Sequence, residues 1–148
     1  MPPQLGRKVI FDTNIYIDAI HGGPPSREYV LLLSSLPFTY LSSVVSAELY
    51  VGALDSIGIR LIQQFVSRSE RVARVVTPTH DSWNEAGRIL AKIANDEPEY
   101  RSKFPALFND SLIALCALQV GAAVCTKNED DFELIRRHKR FNLEIVGS

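Results

Sequence analysis

KVIFDTNIYIDAI, residues 8–20, is the stretch on which the fold turns. Val9, Ile10 and Phe11 suit a buried strand, and they run straight into Asp12. Thr13 and Asn14 follow, then a second apolar run that reads as a short helix over 13–20. A carboxylate at the mouth of the first core strand has two readings. It can cap the next helix, where aspartate is favoured, or it can form one wall of an active site. Asp12 alone does not choose between them.

Working outward, strand and helix patterns alternate. GGPP at 22–25 breaks the chain, and Pro25 with Ser26 suits the start of a helix over 26–35. FTYLSS at 38–43 reads as a second strand closed by cap residues. VVSAELYVGAL (44–54) follows as a helix, and 57–73 as a longer amphipathic one. ARVVTP at 73–78 is a third strand and 80–95 a further helix. The polar stretch DEPEYRSKFP, 96–105, reads as a loop. After it come a nearly all-apolar helix (109–121), a strand (122–126), a charged helix (128–138) and a last strand (142–146). This alternation predicts an α/β fold, a parallel sheet covered by helices on both faces. A chain of 148 residues fits a single domain spanning 1–148.

Composition narrows the function classes. Apolar residues make up 46% and charged residues 22% of the chain, as in ordinary globular proteins. No apolar run reaches the ~18 residues of a membrane helix. The N-terminal MPPQLGRKVIFD is too short and too poorly apolar before Arg7 for a secretory signal. A cytoplasmic protein with no membrane partner is expected. Cys116 and Cys125 lie in apolar runs and read as buried free thiols, and His21, His80 and His138 are scattered without zinc-like spacing. With a net charge of −1, a polyanion would need a local basic patch.

Parallel α/β sheets bind ligands outside the carboxyl ends of their strands, so the residues just after each strand carry the functional question. Glu48 has Val44, Val45, Val51 and Gly52 three and four residues away, which predicts that it lies along the buried stripe of its helix. An unpaired buried carboxylate is costly, and most are paired or metal-bound. Asp110 opens the apolar helix NDSLIALCALQVGA, where Asn109 or Asp110 would also serve as a cap. CTKNEDDFELI (125–135) offers Asn128 as a cap with Asp131 three residues on, the spacing of a capping box. Each aspartate has an adequate structural explanation by itself, whereas Glu48, whose own helix offers no cation, favours a functional role. Together, carboxylates converging at one sheet edge repel and raise one another's pKa unless a cation intervenes. Oxygen donors without His or Cys suit Mg²⁺ or Mn²⁺, and such sites orient water against phosphate esters.

VIFDTNIYID, SSVVSAELYVGA, NDSLIALCAL and CTKNEDDF resemble, in this order, the four signature segments of the PIN-domain ribonucleases, and within them the VapC-type toxins of prokaryotic toxin–antitoxin pairs. The resemblance runs from about Val9 to Phe132. It implies an α/β/α sandwich and a metal-dependent endoribonuclease holding one or two Mg²⁺ or Mn²⁺ ions. Carried over, the acidic cluster is Asp12, Glu48, Asp110 and a fourth position. The acid directly before Phe132 makes Asp131 the VapC-like choice. Other branches carry an acid where Asn128 stands, and Asp130 is a less fitting substitute. Thr13, Asn14 and Thr126 match polar positions that support the ligands. The resemblance further implies an RNA substrate such as a tRNA or rRNA loop, a homodimer, and a cognate antitoxin, for which a groove between the helices at 26–35 and 44–73 is the expected dock.

Two basic clusters could meet RNA phosphates: Arg68, Arg71 and Arg74, and Arg136, Arg137, His138, Lys139 and Arg140. Solvated helix faces explain the individual residues equally well. Tyr16, Tyr50 and Trp83 are aromatic candidates for base stacking, although core or interface roles are commoner. Aspartyl-phosphate phosphatases also place an Asp after the first strand, but they need a second Asp two residues on, where this chain has Asn14. A receiver-like or degenerate PIN binding module is the non-enzymatic alternative. Receivers want paired acids at the first strand, which are missing here.

Overall fold

The computed structural model describes residues 7–147. The reading of the N-terminus as signal-free rests largely on residues 1–6, outside the described residues. Five strands, β1 (Val9–Phe11), β2 (Thr39–Ser42), β3 (Val75–Val76), β4 (Ala123–Thr126) and β5 (Leu143–Ile145), form one sheet in the order β3-β2-β1-β4-β5. Every pairing is parallel. Val9 faces Thr39 on one side and Ala123 on the other, so the first strand of the chain is the centre of the sheet. Its three side chains are at most 1% exposed, which is why all three positions are apolar rather than alternating.

The connections are α1 (Thr13–Gly22), α2 (Arg27–Ser35), α3 (Ser43–Gly52), α4 (Ser56–Arg71), α5 (His80–Asp96), α6 (Phe104–Val120) and α7 (Glu129–Arg136). From β1 the chain steps outward to β2 and β3, then crosses back to β4 and β5. With right-handed crossovers, α1 to α4 cover one face and α5 to α7 the other. The packing of α1 on α2 and α3, and of α6 on α5 and α7, follows this division. The result is the α/β/α sandwich that the sequence predicts. Among the described residues no helix is long and apolar enough to cross a membrane.

Local chemistry sets the helix starts. Ser26 caps α2 by accepting from the Tyr29 N–H, Ser42 caps α3 through Val44, and Asp55 caps α4 through Gly58. Gly121 ends α6 in the left-handed region at φ 71°, where a side chain would be strained. The sequence reading departs from the structure at 96–105. Pro98–Lys103 is a 3-10 helix, and α6 begins at Phe104, five residues before the expected start. Pro105 sits in its first turn, where the missing N–H costs no hydrogen bond. That earlier start moves Asp110 well inside a helix.

Candidate active site

The chain changes direction across the sheet between β1 and β4, which opens a crevice beyond their carboxyl ends. Asp12 stands at this point. Its N–H continues the ladder to Cys125 O at 2.9 Å, and its backbone takes the N-cap position of α1. Oδ1 accepts from the Thr13 N–H at 2.8 Å. Oδ2 accepts from Thr126 Oγ1 at 2.7 Å and Asn14 Nδ2 at 3.3 Å. Asp12 is therefore a cap and a wall of the crevice at once. Burial raises its pKa most. The hydrogen bonds from Thr126 and Thr13 oppose this, while Glu48 and Asp131 add to the rise.

Thr126 and Asn14 form the strut behind Asp12. Besides donating to Asp12, Thr126 Oγ1 accepts from the Asn128 N–H at 2.9 Å and from Asn14 Nδ2 at 3.3 Å. Asn14 Oδ1 accepts from the Lys127 N–H at 3.4 Å. Its amide is committed on both ends, which fixes the entry of α1 against the end of β4.

Asp110, only 8% exposed, is not a cap, because α6 starts six residues earlier. Its carboxylate takes one side-chain hydrogen bond among the described residues, from Asn128 Nδ2 at 3.4 Å. Burial is the main cause of a pKa pushed up to about 8. The charges of Asp12, Asp131 and Glu48 add to it, and Lys103 pulls the other way. Asp131 is buried while Asp130 is exposed, so the geometry favours Asp131 for the fourth position. The expected capping box does not form. Asn128 holds the N-cap position of α7 but makes no side-chain cap. Its amide instead bridges Asp110 and Asp131, reaching Asp131 Oδ2 at 3.1 Å.

Glu48 reaches the same crevice by a different route from the one its sequence neighbours suggested. Val45 and Leu49 are the buried residues of α3, and Val51 is 86% exposed. Glu48 is half-buried at the boundary of the helix's apolar face. Thr13 Oγ1 donates to its Oε1 at 2.7 Å and Asn109 Nδ2 to its Oε2 at 3.3 Å. Asn109 thus holds an acid rather than capping α6. Lys103 is a second residue that sequence reasoning missed: its Nζ donates to Asp131 Oδ1 at 2.6 Å. With 96–105 read as a loop, nothing aimed that lysine at the site. Pro105 before a continuous apolar run was the available signal for an earlier helix start.

The donor set is one that a hard divalent cation fits. It holds four carboxylates with hydroxyl and amide neighbours, and no histidine or thiol. Among the described residues no three His, Cys, Asp or Glu side chains stand as a preformed metal-holding group. The acids are spread over an ammonium, three amides and two hydroxyls instead. Such an arrangement suits an ion that keeps several of its own waters and takes a few carboxylates. Beside it runs a groove of about 690 Å³ whose polar end is Thr13, Glu48 and Asn109, and whose walls include Val44, Trp83 and Leu112.

The other candidates lie elsewhere. The helix α7 runs antiparallel to the strands, so Arg136–Arg140 sit toward the opposite edge of the sheet from the acids. They are largely engaged there: Arg136 with Glu133, Arg137 and His138 with Glu97, and Lys139 with Glu85. Arg74 is tied to the carbonyls of Leu36 and Pro37, just before β2. Tyr16 is buried edge-on between Phe11 and Phe65, whereas Trp83 and Tyr50 are partly exposed. Where the expected docking region runs between α2 and α4, Leu32, Phe65 and Arg68 line a small gap of about 10 Å³. The open groove lies between α3 and the α5–α6 pair.

Similarity to known proteins agrees with this arrangement. No curated protein is similar enough in sequence to match the chain. A DNA-bound VapBC structure from Salmonella typhimurium is similar at 26% identity and a TM-score of 0.68, over 94% of this chain and 98% of that one. FitAcB from Neisseria gonorrhoeae shares the fold at 20% identity and a TM-score of 0.66, over 91% and 95% of the two chains. VapBC-1 from nontypeable Haemophilus influenzae does so at 21% and 0.62, over 93% and 96%. These neighbours agree with the VapC-type resemblance of the four segments. The PIN-domain family model matches residues 9–138, a span that contains all four acids, and the chain belongs to the PIN-domain family.

Proposed function

We propose that this PIN-domain nuclease is a cytoplasmic, divalent-metal-dependent endoribonuclease and the toxin half of a toxin–antitoxin pair. The observation that carries the reading is the convergence of Asp12, Asp110 and Asp131, all buried, with Glu48 at the end of the two central strands. Burial, with the neighbouring acids adding to it, pushes Asp110 up to about 8. A fold that keeps so much like charge in one crevice suits a cationic ligand. Asp12, Glu48, Asp110 and Asp131 would hold one or two Mg²⁺ or Mn²⁺ ions.

A bound divalent ion would activate water and neutralise charge building on the phosphate oxygens. The chain's own residues do the positioning. Thr126 and Asn14 fix the orientation of the Asp12 carboxylate through 2.7 Å and 3.3 Å hydrogen bonds. Thr13 and Asn109 hold Glu48 at the mouth of the groove, and Asn128 keeps Asp110 and Asp131 together. Water attack on the phosphodiester leaves 5′-phosphate and 3′-hydroxyl ends. The substrate class is single-stranded or looped RNA. A homodimer and an antitoxin partner complete the reading, the latter supported by the VapBC and FitAcB neighbours.

Cleavage of labelled RNA by the purified, partner-free protein tests this. Activity is expected with Mg²⁺ or Mn²⁺, and loss with EDTA, Asp12→Asn or Asp110→Asn. Full activity in EDTA, or in both variants, overturns the metal-nuclease reading. The phosphatase alternative is disfavoured by Asn14, whose amide is locked to Asp12, Thr126 and the Lys127 backbone and has no titratable group to serve as acid or base.

A further inference from the structure

Among the described residues, a single cation pairs with any of the four carboxylates. Lys103 Nζ lies 2.6 Å from Asp131 Oδ1. Lys127, next to the site in sequence, is taken up by Asp18 and Glu28 at 2.5 Å and 2.9 Å. The two ends of the Lys103–Asp131 pair differ in solvent access. The lysine side chain is 46% exposed and the aspartate 8%. Lys103 is the last residue of the 3-10 helix at Pro98–Lys103 and stands at the N-cap position of α6. It therefore reaches into the crevice from its rim, on a flexible stem with water behind it. An ordinary exposed ion pair contributes little. This one ends on a carboxylate that would otherwise be buried beside other acids, and an uncompensated buried charge is costly.

Resting on the metal-nuclease reading, we propose that Lys103 is the resident counter-cation of the acidic site, held on Asp131 until a divalent ion displaces it. An ammonium and a divalent ion crowded onto one carboxylate repel, and the ammonium already takes one Asp131 oxygen. Loading the ion therefore favours an outward swing of Lys103, a movement its exposed stem permits. Lys103 is a positioning residue here. It offsets like-charge repulsion among the acids when no divalent ion is bound, and it sets how tightly the ion binds.

Titration calorimetry with Mn²⁺ alone, on wild type, Lys103→Met, Lys103→Arg and Arg101→Gln, tests the proposal. Arg101 is a nearby exposed cation with no carboxylate partner among the described residues, and it controls for a general change of charge. Lys103→Met is expected to bind Mn²⁺ about tenfold more tightly, the size of a typical coupling between two sites. It is also expected to melt earlier in EDTA and to gain more from Mn²⁺. Lys103→Arg and Arg101→Gln should stay within about twofold of wild type. Unchanged or weaker Mn²⁺ binding by Lys103→Met, with wild type binding normally, overturns the proposal and leaves the nuclease reading intact. Absence of Mn²⁺ binding by wild type overturns both. A measurement without mutation stands beside this. The ¹⁵Nζ signal of Lys103, protected from exchange in EDTA, should lose that protection on saturation with Mg²⁺, and retained protection refutes displacement.

Discussion

Replacing Asp110 with asparagine should make the metal-free protein more stable, and increasingly so as the pH rises. The carboxyl group titrates near 8 in the folded protein against an ordinary 3.8. Its pKa is raised, so between these values the folded chain holds a proton that the unfolded chain has released, and stability falls as pH increases. At pH 7 the gap from the ordinary value is roughly three units at ~1.4 kcal/mol each, which puts the cost of the acid on the order of 4 kcal/mol. Asparagine has nearly the same shape, can still accept from Asn128 and never ionises. Urea unfolding in EDTA measures the effect. With a slope near ~2 kcal/mol per molar urea, the midpoint of Asp110→Asn should exceed wild type by about 2 M at pH 7 and by almost nothing near pH 4. Added Mn²⁺ should then stabilise wild type and leave the variant little changed. A stability gap that does not widen with pH, or a variant weaker than wild type at pH 8, refutes the claim that like charge and burial dominate this site.

Three further outcomes follow from other contacts. Thr126→Val removes the hydroxyl that donates to Asp12 and accepts from Asn128. Carbon-13 NMR of the Asp12 carboxyl should show a titration midpoint above that of wild type, and chemical denaturation a loss of about 2 kcal/mol. Lys127→Met leaves the mostly buried Glu28 with only the more exposed Arg27, at 3.4 Å, as a charged partner and should cost about 2 kcal/mol near neutral pH. The Lys127 hydrogen bond holds Glu28 below its ordinary 4.5, so this deficit should shrink as acid unfolding curves are taken below pH 4.5. Gly121→Ala meets no atom within 4 Å but must adopt φ 71°. It should lower stability by about 1 kcal/mol through backbone strain, read as a lower melting temperature with an unchanged far-ultraviolet spectrum.

The alternation of strands and helices was legible because buried parallel strands and amphipathic helices differ in run length and punctuation. The central strand betrayed itself by three apolar residues ending in an acid. The positions of Asp12, Asp110 and Asp131 at strand or helix junctions pointed to one edge, although the helix that carries Asp110 starts earlier than its apolar run. Glu48 was selected by a local argument that the structure corrects. Apolar neighbours such as Val51, 86% exposed near the end of the ten-residue α3, belong to a groove wall. Lys103 was illegible for a different reason. Its partner lies 28 residues away, and no local pattern reports a contact made only by tertiary packing. The same holds for Arg137 and Lys139, whose partners are Glu97, just after α5, and Glu85 within it.

The placement of the first strand at the centre of the sheet has a consequence for the growing polypeptide. Synthesis delivers β1 and Asp12 early, and β2 can pair with one side of it. The other side waits for β4, and the hydrogen bond that orients Asp12 comes from Thr126, 114 residues later. Asp110 and Asp131 also follow Asp12 only after β3 and β4 respectively. Every truncated or nascent form that stops before β4 therefore lacks an assembled crevice, whatever helices it has already formed. On the proposed ribonuclease reading, this order of assembly withholds cleavage until β4 and α7 have emerged from the ribosome.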